Sequence, residues 1–326
     1  MNRPKVSVCV QTYNHALYIA QALDSVLMQE TDFDFEIIVG EDESNDGTRE
    51  ICIEYAEQYP DRIRLFLRSR EDVIYINGRA TGRYNFVENF RAARGDYIAL
   101  LDGDDYWTDP HKLQKQADLL DAHPEYALCF HAVALVDEVS GKEKKVLYPP
   151  GRRPVYRLAD ILKHNFIPAL SVMFRNRGMD ALPDWFWDVP VGDLPLHVLN
   201  ALHGDIGYID EVMGVYRKHG GGFMQGLRST ERPVSDHRVQ ILTIFRENLA
   251  GQVDETVLDE ALSEAYLQLG LGYDQAGDLD RAREAWRQAL SLDSHNTRAR
   301  MLLTASLLGS KPYAGLRRLK RFFSSR

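Results

Sequence analysis

The chain has 326 residues, 44% of them hydrophobic, and a formal net charge of −9. That length and apolar content support a sizeable core, as one large domain plus a smaller one. An acidic balance argues against general nucleic-acid binding, which needs a basic face. Val6-Ser7-Val8-Cys9-Val10 opens the chain as a short β-type run ending in Gln11-Thr12-Tyr13-Asn14. An amphipathic helix follows, with Ile19, Leu23, Val26 and Leu27 on one face. Residues 35–39 read as a second strand, leading into Gly40-Glu41-Asp42-Glu43-Ser44-Asn45-Asp46-Gly47. A helix through Ile51, Tyr55 and Tyr59 precedes a third strand at 63–67. Strands alternating with helices predict right-handed crossovers and a mainly parallel sheet, the architecture of an α/β protein.

Tyr97-Ile98-Ala99-Leu100-Leu101 is the next strand, and it runs out into Asp102-Gly103-Asp104-Asp105. Three aspartates in four positions repel one another, and two readings are open. One is a solvated acidic turn. The other is a seat for a hard divalent cation, which takes carboxylate oxygens and completes its shell with phosphate and water. Ligands of such sheets bind outside the carboxyl ends of the strands, and here those ends carry Tyr13, Asp42 and the acidic turn. A ring to stack on a base, a carboxylate for a base N–H or ribose hydroxyl, and a metal for a diphosphate together suit a nucleotide.

At this point the chain resembles the family-2 glycosyltransferases. The matching pieces are residues 6–14, residues 36–48 with Glu41-Asp42 and Asp46-Gly47, residues 95–107, and Lys112-Leu113 with Pro124-Glu125 beyond. The resemblance covers residues 4–220 and implies the GT-A fold, a nucleotide-sugar donor, a divalent metal (Mn²⁺ or Mg²⁺) and inversion at the anomeric carbon. Carried over by position, Thr12, Tyr13 and Asn14 lie against the nucleotide, with Tyr13 stacking on the base and Asp42 contacting it. Asp104 with Asp102 or Asp105 handles ribose and metal. The sequence also departs from the family. Its usual Ala-Arg-Asn segment is replaced by residues 84–90, and Glu41 stands where Asp is commoner.

Further along, Leu170-Ser171-Val172-Met173-Phe174 reads as a strand, and Gly192-Asp193 enters an apolar helix with Leu196, Leu199 and Leu202. By itself Asp193 reads as a helix N-cap. The resemblance makes it the catalytic base that deprotonates an acceptor hydroxyl. Trp185 and Trp187 read equally as core or as a wall on which a sugar stacks. A short strand is expected near 206–209. Then Tyr216-Arg217-Lys218-His219 leads into three glycines, which suit close backbone approach to a phosphate and a mobile lid. A lone His by itself reads as structural; the resemblance puts His219 at the metal or diphosphate, with Arg217 or Lys218 as a further contact there.

From about residue 232 strand signals vanish. Tyr266, Leu269, Gly270 and Tyr273, then Ala282, Trp286 and Ala289, fit one tetratricopeptide-like helix pair turning at Ala276-Gly277-Asp278. Helices at about 236–250 and 296–308 are expected to flank it. The division predicted is therefore a catalytic domain over 1–230 and a small all-α domain over 231–326, where a single repeat suits a helical cap or a homo-oligomer contact equally well. Residues 311–326 carry six Lys or Arg and no acid, leaving −15 for the rest. With Tyr313, Leu316, Leu319 and Phe323 at helical spacing, this tail is either a solvated end or a basic amphipathic segment for a membrane surface.

No run approaches the roughly 18 apolar residues a membrane span needs. The opening Met1-Asn2-Arg3-Pro4-Lys5 leads straight into a strand rather than a signal core, and Cys9, Cys52 and Cys129 read as reduced, buried thiols. The location expected is cytoplasmic, with peripheral contact at the inner membrane face through the tail. The function expected is transfer of a sugar to a glycan or lipid-linked acceptor in bacterial-type cell-surface polysaccharide synthesis. Two alternatives stand beside it. One is a nucleotidyltransferase, which lacks here a Gly-rich basic phosphate loop after the first strand. The other is a lapsed transferase acting as a scaffold through its helical repeat. No Gly-x-Gly-x-x-Gly follows a strand, which disfavours a dinucleotide dehydrogenase.

Overall fold

The computed structural model describes residues 3–139, 142–178, 182–220 and 234–307. The chain divides into two compact units, one of residues 1–161 with 165–222, the other of residues 162–164 with 223–326.

The first unit is built on a sheet whose N-terminal half follows the predicted order. Strands β1 (Val6–Thr12), β2 (Phe35–Glu41) and β3 (Ile63–Leu67) are parallel neighbours, joined through helices α1 (Ile19–Leu27) and α2 (Thr48–Gln58). The small hairpin β4 (Ile74–Ile76) and β5 (Arg79–Thr81) precedes α3 (Arg83–Ala92), which leads into β6 (Tyr97–Asp102), parallel to β1 on its other side. β1, β2 and β6 are buried on both faces, so they read as nearly continuous apolar runs. Val6, Val8 and Val10 join Ile19, Leu23 and Val26 of α1 in one core layer. On the opposite face the Cys9 thiol donates to the Asn89 carbonyl of α3 at 3.6 Å.

The second half of the sheet is mixed. After the short β7 (Tyr106–Trp107) and α4 (Lys112–Ala122) come β8 (Tyr126–Asp137), β9 (Lys142–Leu147), β10 (Val155–Tyr156) and α5 (Leu158–Lys163). Then follow β11 (Met173–Arg175), α6 (Asp193–Ala201) and β12 (Asp205–Lys218). The strand order is β10-β12-β8-β11-β6-β1-β2-β3, with β7 paired to β12 and β9 to β8. β11 is antiparallel to both β6 and β8, and β12 is parallel to β8.

Two strand expectations are corrected. The strand expected over 170–174 is only Met173–Arg175, because Pro168 directs residues 169–171 into a 3₁₀ turn. The short strand expected near 206–209 is the first part of one 14-residue strand, β12. Its polar interruption at Asp210 and Glu211 is absorbed by register shifts between Ile209 and Gly214. That continuity carries Arg217 and His219 from the sheet to the acidic turn.

Among its described residues the second unit has four helices: α7 (Val234–Asn248), α8 (Glu255–Gln275), α9 (Leu279–Leu292) and α10 (Thr297–Leu307). Asp254 Oδ1 caps α8 through the Thr256 N–H at 2.9 Å, and Asp278 Oδ1 caps α9 through that of Arg281 at 3.0 Å. Trp286, Ala282 and Ala289 of α9 pack with Leu267 and Leu271 of α8 and with Ala299, Leu302 and Ala305 of α10. No helix among the described residues is long and apolar enough to cross a membrane. The basic tail, Gly221 and Gly222, and the expected domain boundary near 230 lie outside the described residues.

Candidate active site

Sheet register assembles the site. Thr12 is paired with Glu41 and Gln11 with Asp102, so the ends of β1, β2 and β6 finish side by side. The Gly103 N–H donates to the Gln11 carbonyl at 2.9 Å, and the Asp42 N–H to that of Thr12 at 3.1 Å. A Cβ on Gly103 would lie 2.7 Å from Thr12 Oγ1, so the acidic turn closes this tightly on β1 because that position has no side chain.

At the β1–β2 end, Tyr13 is partly exposed and Asp42 is buried. Arg70, just beyond β3, joins them: its guanidinium lies 4.1 Å from the Tyr13 ring centroid and donates to Asp42 Oδ2 at 2.7 Å. Burial raises the Asp42 carboxyl, with Arg70 pulling the other way. Asn14, with φ of 56°, accepts from the Asn45 N–H at 3.1 Å, while its own N–H donates to Ser44 Oγ at 2.9 Å. Glu41 is fully buried and braces the same loop, accepting from the Ser44 N–H at 2.7 Å and pairing with Arg49. It is a scaffold residue rather than a ligand contact.

At the β6 end, Asp102, Asp104 and Asp105 have ligand oxygens all within 4.8 Å, the one such metal-suited group among the described residues. Each carboxylate is held differently. Asp102 accepts from the Gln11 side-chain amide. Asp104 Oδ2 accepts from His219 Nε2 at 2.9 Å, with His15 Nε2 at 3.8 Å. Asp105 is buried, and its Oδ1 accepts the backbone N–H of Arg217 at 2.8 Å. Burial, then the neighbouring Asp104 charge, pushes Asp102 up to about 7 and Asp105 well above the usual carboxylate range. Burial also opposes ionisation of Asp104, but the His219 hydrogen bond and the two imidazoles outweigh it and hold this carboxyl low. Crowded, desolvated carboxylate oxygens fit a hard divalent cation, whose charge would remove that conflict.

The far wall comes from β12. Arg217 is buried, donates from Nη1 to the Asp104 carbonyl at 2.7 Å, pairs with Gln21, and lies 4.2 Å from the Tyr106 ring centroid. It braces the turn from behind. The His219 ring sits 4.7 Å from that of Tyr18, whose hydroxyl donates to Glu138 Oε2 at 3.0 Å.

Asp193 opens α6, but the N-cap position belongs to Gly192. Its Oδ1 accepts from the Leu194 N–H at 2.7 Å and its Oδ2 from Asn165 Nδ2 at 3.2 Å, which leaves it no capping bond to the next turn. Its charge acts on Asp102, Tyr216, Arg83 and the fully buried His197. Trp185 and Trp187 are half-buried on either side of the buried Phe186.

Sequence reasoning missed Gln11, His15, Arg70, Arg83 and Asn165. Gln11 lies within a matching piece without being marked by it, and each of the five finds its partner only when strands or loops distant in sequence come together. In the segment that departs from the family, Asn85 Nδ2 donates to the Gly40 carbonyl at 2.8 Å and Asn89 Nδ2 to that of Val10 at 3.1 Å. Both also accept from Arg68, so this segment clamps β1 and β2.

The profile of glycosyl transferase family 2 matches residues 7–177. The chain belongs to that family. A tetratricopeptide repeat profile matches residues 263–296. An uncharacterised protein of Mycobacterium tuberculosis is 37% identical over 232 residues, which are 70% of this chain and 62% of that protein. The chain therefore spans about three-fifths of the length of the curated relatives it matches first. Among solved structures, S. aureus TarS 1–349 in complex with UDP-GlcNAc is similar with a TM-score of 0.63 at 18% identity, covering 97% of this chain and 91% of that one. The mannosyltransferase PcManGT of Pyrobaculum calidifontis, in complex with GDP-Man and Mn²⁺, gives a TM-score of 0.54 at 21% identity, covering 97% and 84%. The first unit thus has the GT-A fold, and a tetratricopeptide-like helical region follows it.

Proposed function

We propose that this glycosyltransferase moves a sugar from a nucleoside-diphosphate sugar to a hydroxyl of a glycan or lipid-linked acceptor, with inversion and with a divalent cation. The observation that carries the reading is the acidic group at the end of β6, beside the strand end that carries Tyr13 and Asp42 and within the field of Asp193. The UDP-GlcNAc of TarS and the GDP-Man and Mn²⁺ of PcManGT support the donor class and the metal.

Tyr13 offers a ring face to the base and Asp42 an acceptor for a base N–H, with Arg70 closing over both. Asp104, assisted by Asp102 and Asp105, would hold the cation, since the three bring carboxylate oxygens within 4.8 Å of one another. When bound, a divalent ion supplies positive charge opposite the leaving diphosphate. Asp193 accepts the proton of the acceptor hydroxyl. The oxygen forms a bond to the anomeric carbon from the face opposite the diphosphate. The bond to the diphosphate oxygen breaks, its electron pair leaving with the nucleotide, and the configuration inverts.

The test is calorimetric titration of UDP, GDP and dTDP with Mn²⁺ into the wild type and Asp104→Ala. Binding should be lost with EDTA and weakened at least about tenfold in the variant, because an uncompensated diphosphate in a partly dry site is costly. Tight binding indifferent to both changes would sink the reading. A scaffold without catalysis would bind nucleotide yet release none from UDP-GlcNAc or GDP-mannose.

A further inference from the structure

Arg83 occupies a place where a cation is doubly disfavoured. It is only 4% exposed, and it is the first residue of α3, where the helix dipole presents its positive end. Two carbonyls account for it. Nη1 donates to the Phe186 carbonyl at 2.9 Å and Nη2 to that of Val189 at 2.9 Å, and the guanidinium lies 4.6 Å from the Phe186 ring centroid. A planar fork can satisfy two carbonyls at once; an ammonium cannot do so with the same fixed geometry. Both carbonyls belong to the loop that runs directly into Asp193, and Gly192 is seated against the guanidinium. Burial brings the Arg83 guanidinium down to about 10, with the Asp193 carboxylate opposing that shift, so it remains a cation at neutral pH.

The first two turns of the same helix also grip the donor side. Asn85 and Asn89 are tied to Gly40 of β2 and Val10 of β1, two residues before Asp42 and Thr12 respectively. Asn165 Nδ2 holds the second oxygen of Asp193 at 3.2 Å.

We propose that Arg83 is a positioning residue for Asp193: it locks the 186–192 loop onto α3 and so fixes the distance between the base and the donor strands. This rests on the reading of Asp193 as the base. A misplacement of about 1 Å can cost about a hundredfold in rate, so a residue that never touches substrate can still set turnover.

The experiment uses the full chain with Mn²⁺ and, in parallel arms, UDP-GlcNAc and GDP-mannose. It compares wild type, Arg83→Met, Arg83→Lys and Asp193→Asn by amide hydrogen exchange and by nucleotide release. In Arg83→Met, exchange over 186–192 should speed up about tenfold or more while β1 and β6 stay protected. kcat should fall about 10- to 100-fold with donor KM within about twofold. Arg83→Lys should lie between the two, and it carries the test if the Met variant does not fold. Unchanged exchange in both Arg83 variants, or a loosened loop with wild-type kcat, overturns the inference. If Asp193→Asn is dead while the Arg83 variants work normally, only this inference fails. If Asp193→Asn turns over normally, the base reading fails and this one with it.

Discussion

Asp102 must lose its proton before it can serve a cation, because burial and the Asp104 charge hold its carboxyl near 7. Below that pH the group is protonated, and each bound ion releases a proton. Mn²⁺ affinity should therefore climb by up to about tenfold per pH unit from pH 5.5 to 7 and level off above, with Asp102→Asn flattening the slope. Calorimetry in a pH series checks this, and a flat wild-type profile would remove Asp102 from the site. Asp193 is separable in a different way. Because Gly192 holds the cap position, Asp193→Asn should leave stability close to wild type and donor binding intact, while transfer falls by roughly 10² or more. Single-turnover sugar transfer measured beside urea unfolding distinguishes a lost base from a lost fold. The acidic turn, Tyr13, Asp42 and His219 were legible in sequence because each lies at a strand end with a local pattern. Arg70, Gln11 and Asn165 were not, since their partners lie 28, 91 and 28 residues away and nothing local marks the pairing.

Helix pairs and strands differ in how openly they announce themselves. The parallel strands β1, β2, β3 and β6 are short apolar runs bounded by turns, and the α8–α9 pair shows its small residues at helical spacing. β12 hides its length because a polar Asp210-Glu211 break resembles a turn until bulges carry the pairing across it. The α8–α9 contact also permits a prediction whose sign is decided by packing. Gly→Ala inside a helix ordinarily stabilises by about 1 kcal/mol. At Gly270, however, the new Cβ would sit 2.4 Å from Trp286 Nε1 and 3.0 Å from the Ala282 carbonyl, on a fully buried indole. Overpacking of that kind costs about 1–3 kcal/mol, so Gly270→Ala should lower stability or leave it level. A clear rise in the unfolding midpoint would mean that the two helices are less tightly apposed than described.

At the scale of the whole molecule, every group proposed for the donor lies in the first unit, and the repeat match lies in the second. Ending the chain after Gly222 should preserve Mn²⁺-dependent nucleotide binding within about threefold, while acceptor choice or oligomeric mass changes. Nucleotide titration and light scattering on the two lengths test this division. A truncated chain that keeps its circular dichroism but binds no nucleotide would place part of the donor site in the helical region. A lone repeat buries less than an array and leaves apolar surface in need of a neighbour, as the half-exposed Met301 and the exposed Leu307 of α10 illustrate.

The link from His219 to Asp104 spans 115 residues, and it has a consequence in time. At roughly 5–20 residues per second of synthesis, Asp104 leaves the ribosome roughly 6–23 s before His219 does. For that interval the nascent chain carries the acidic turn without the backbone N–H of Arg217 or the imidazole of His219. Translation speed across residues 105–220 thus decides how long an unfinished, self-repelling sheet end stays open to chaperones or to stray cations.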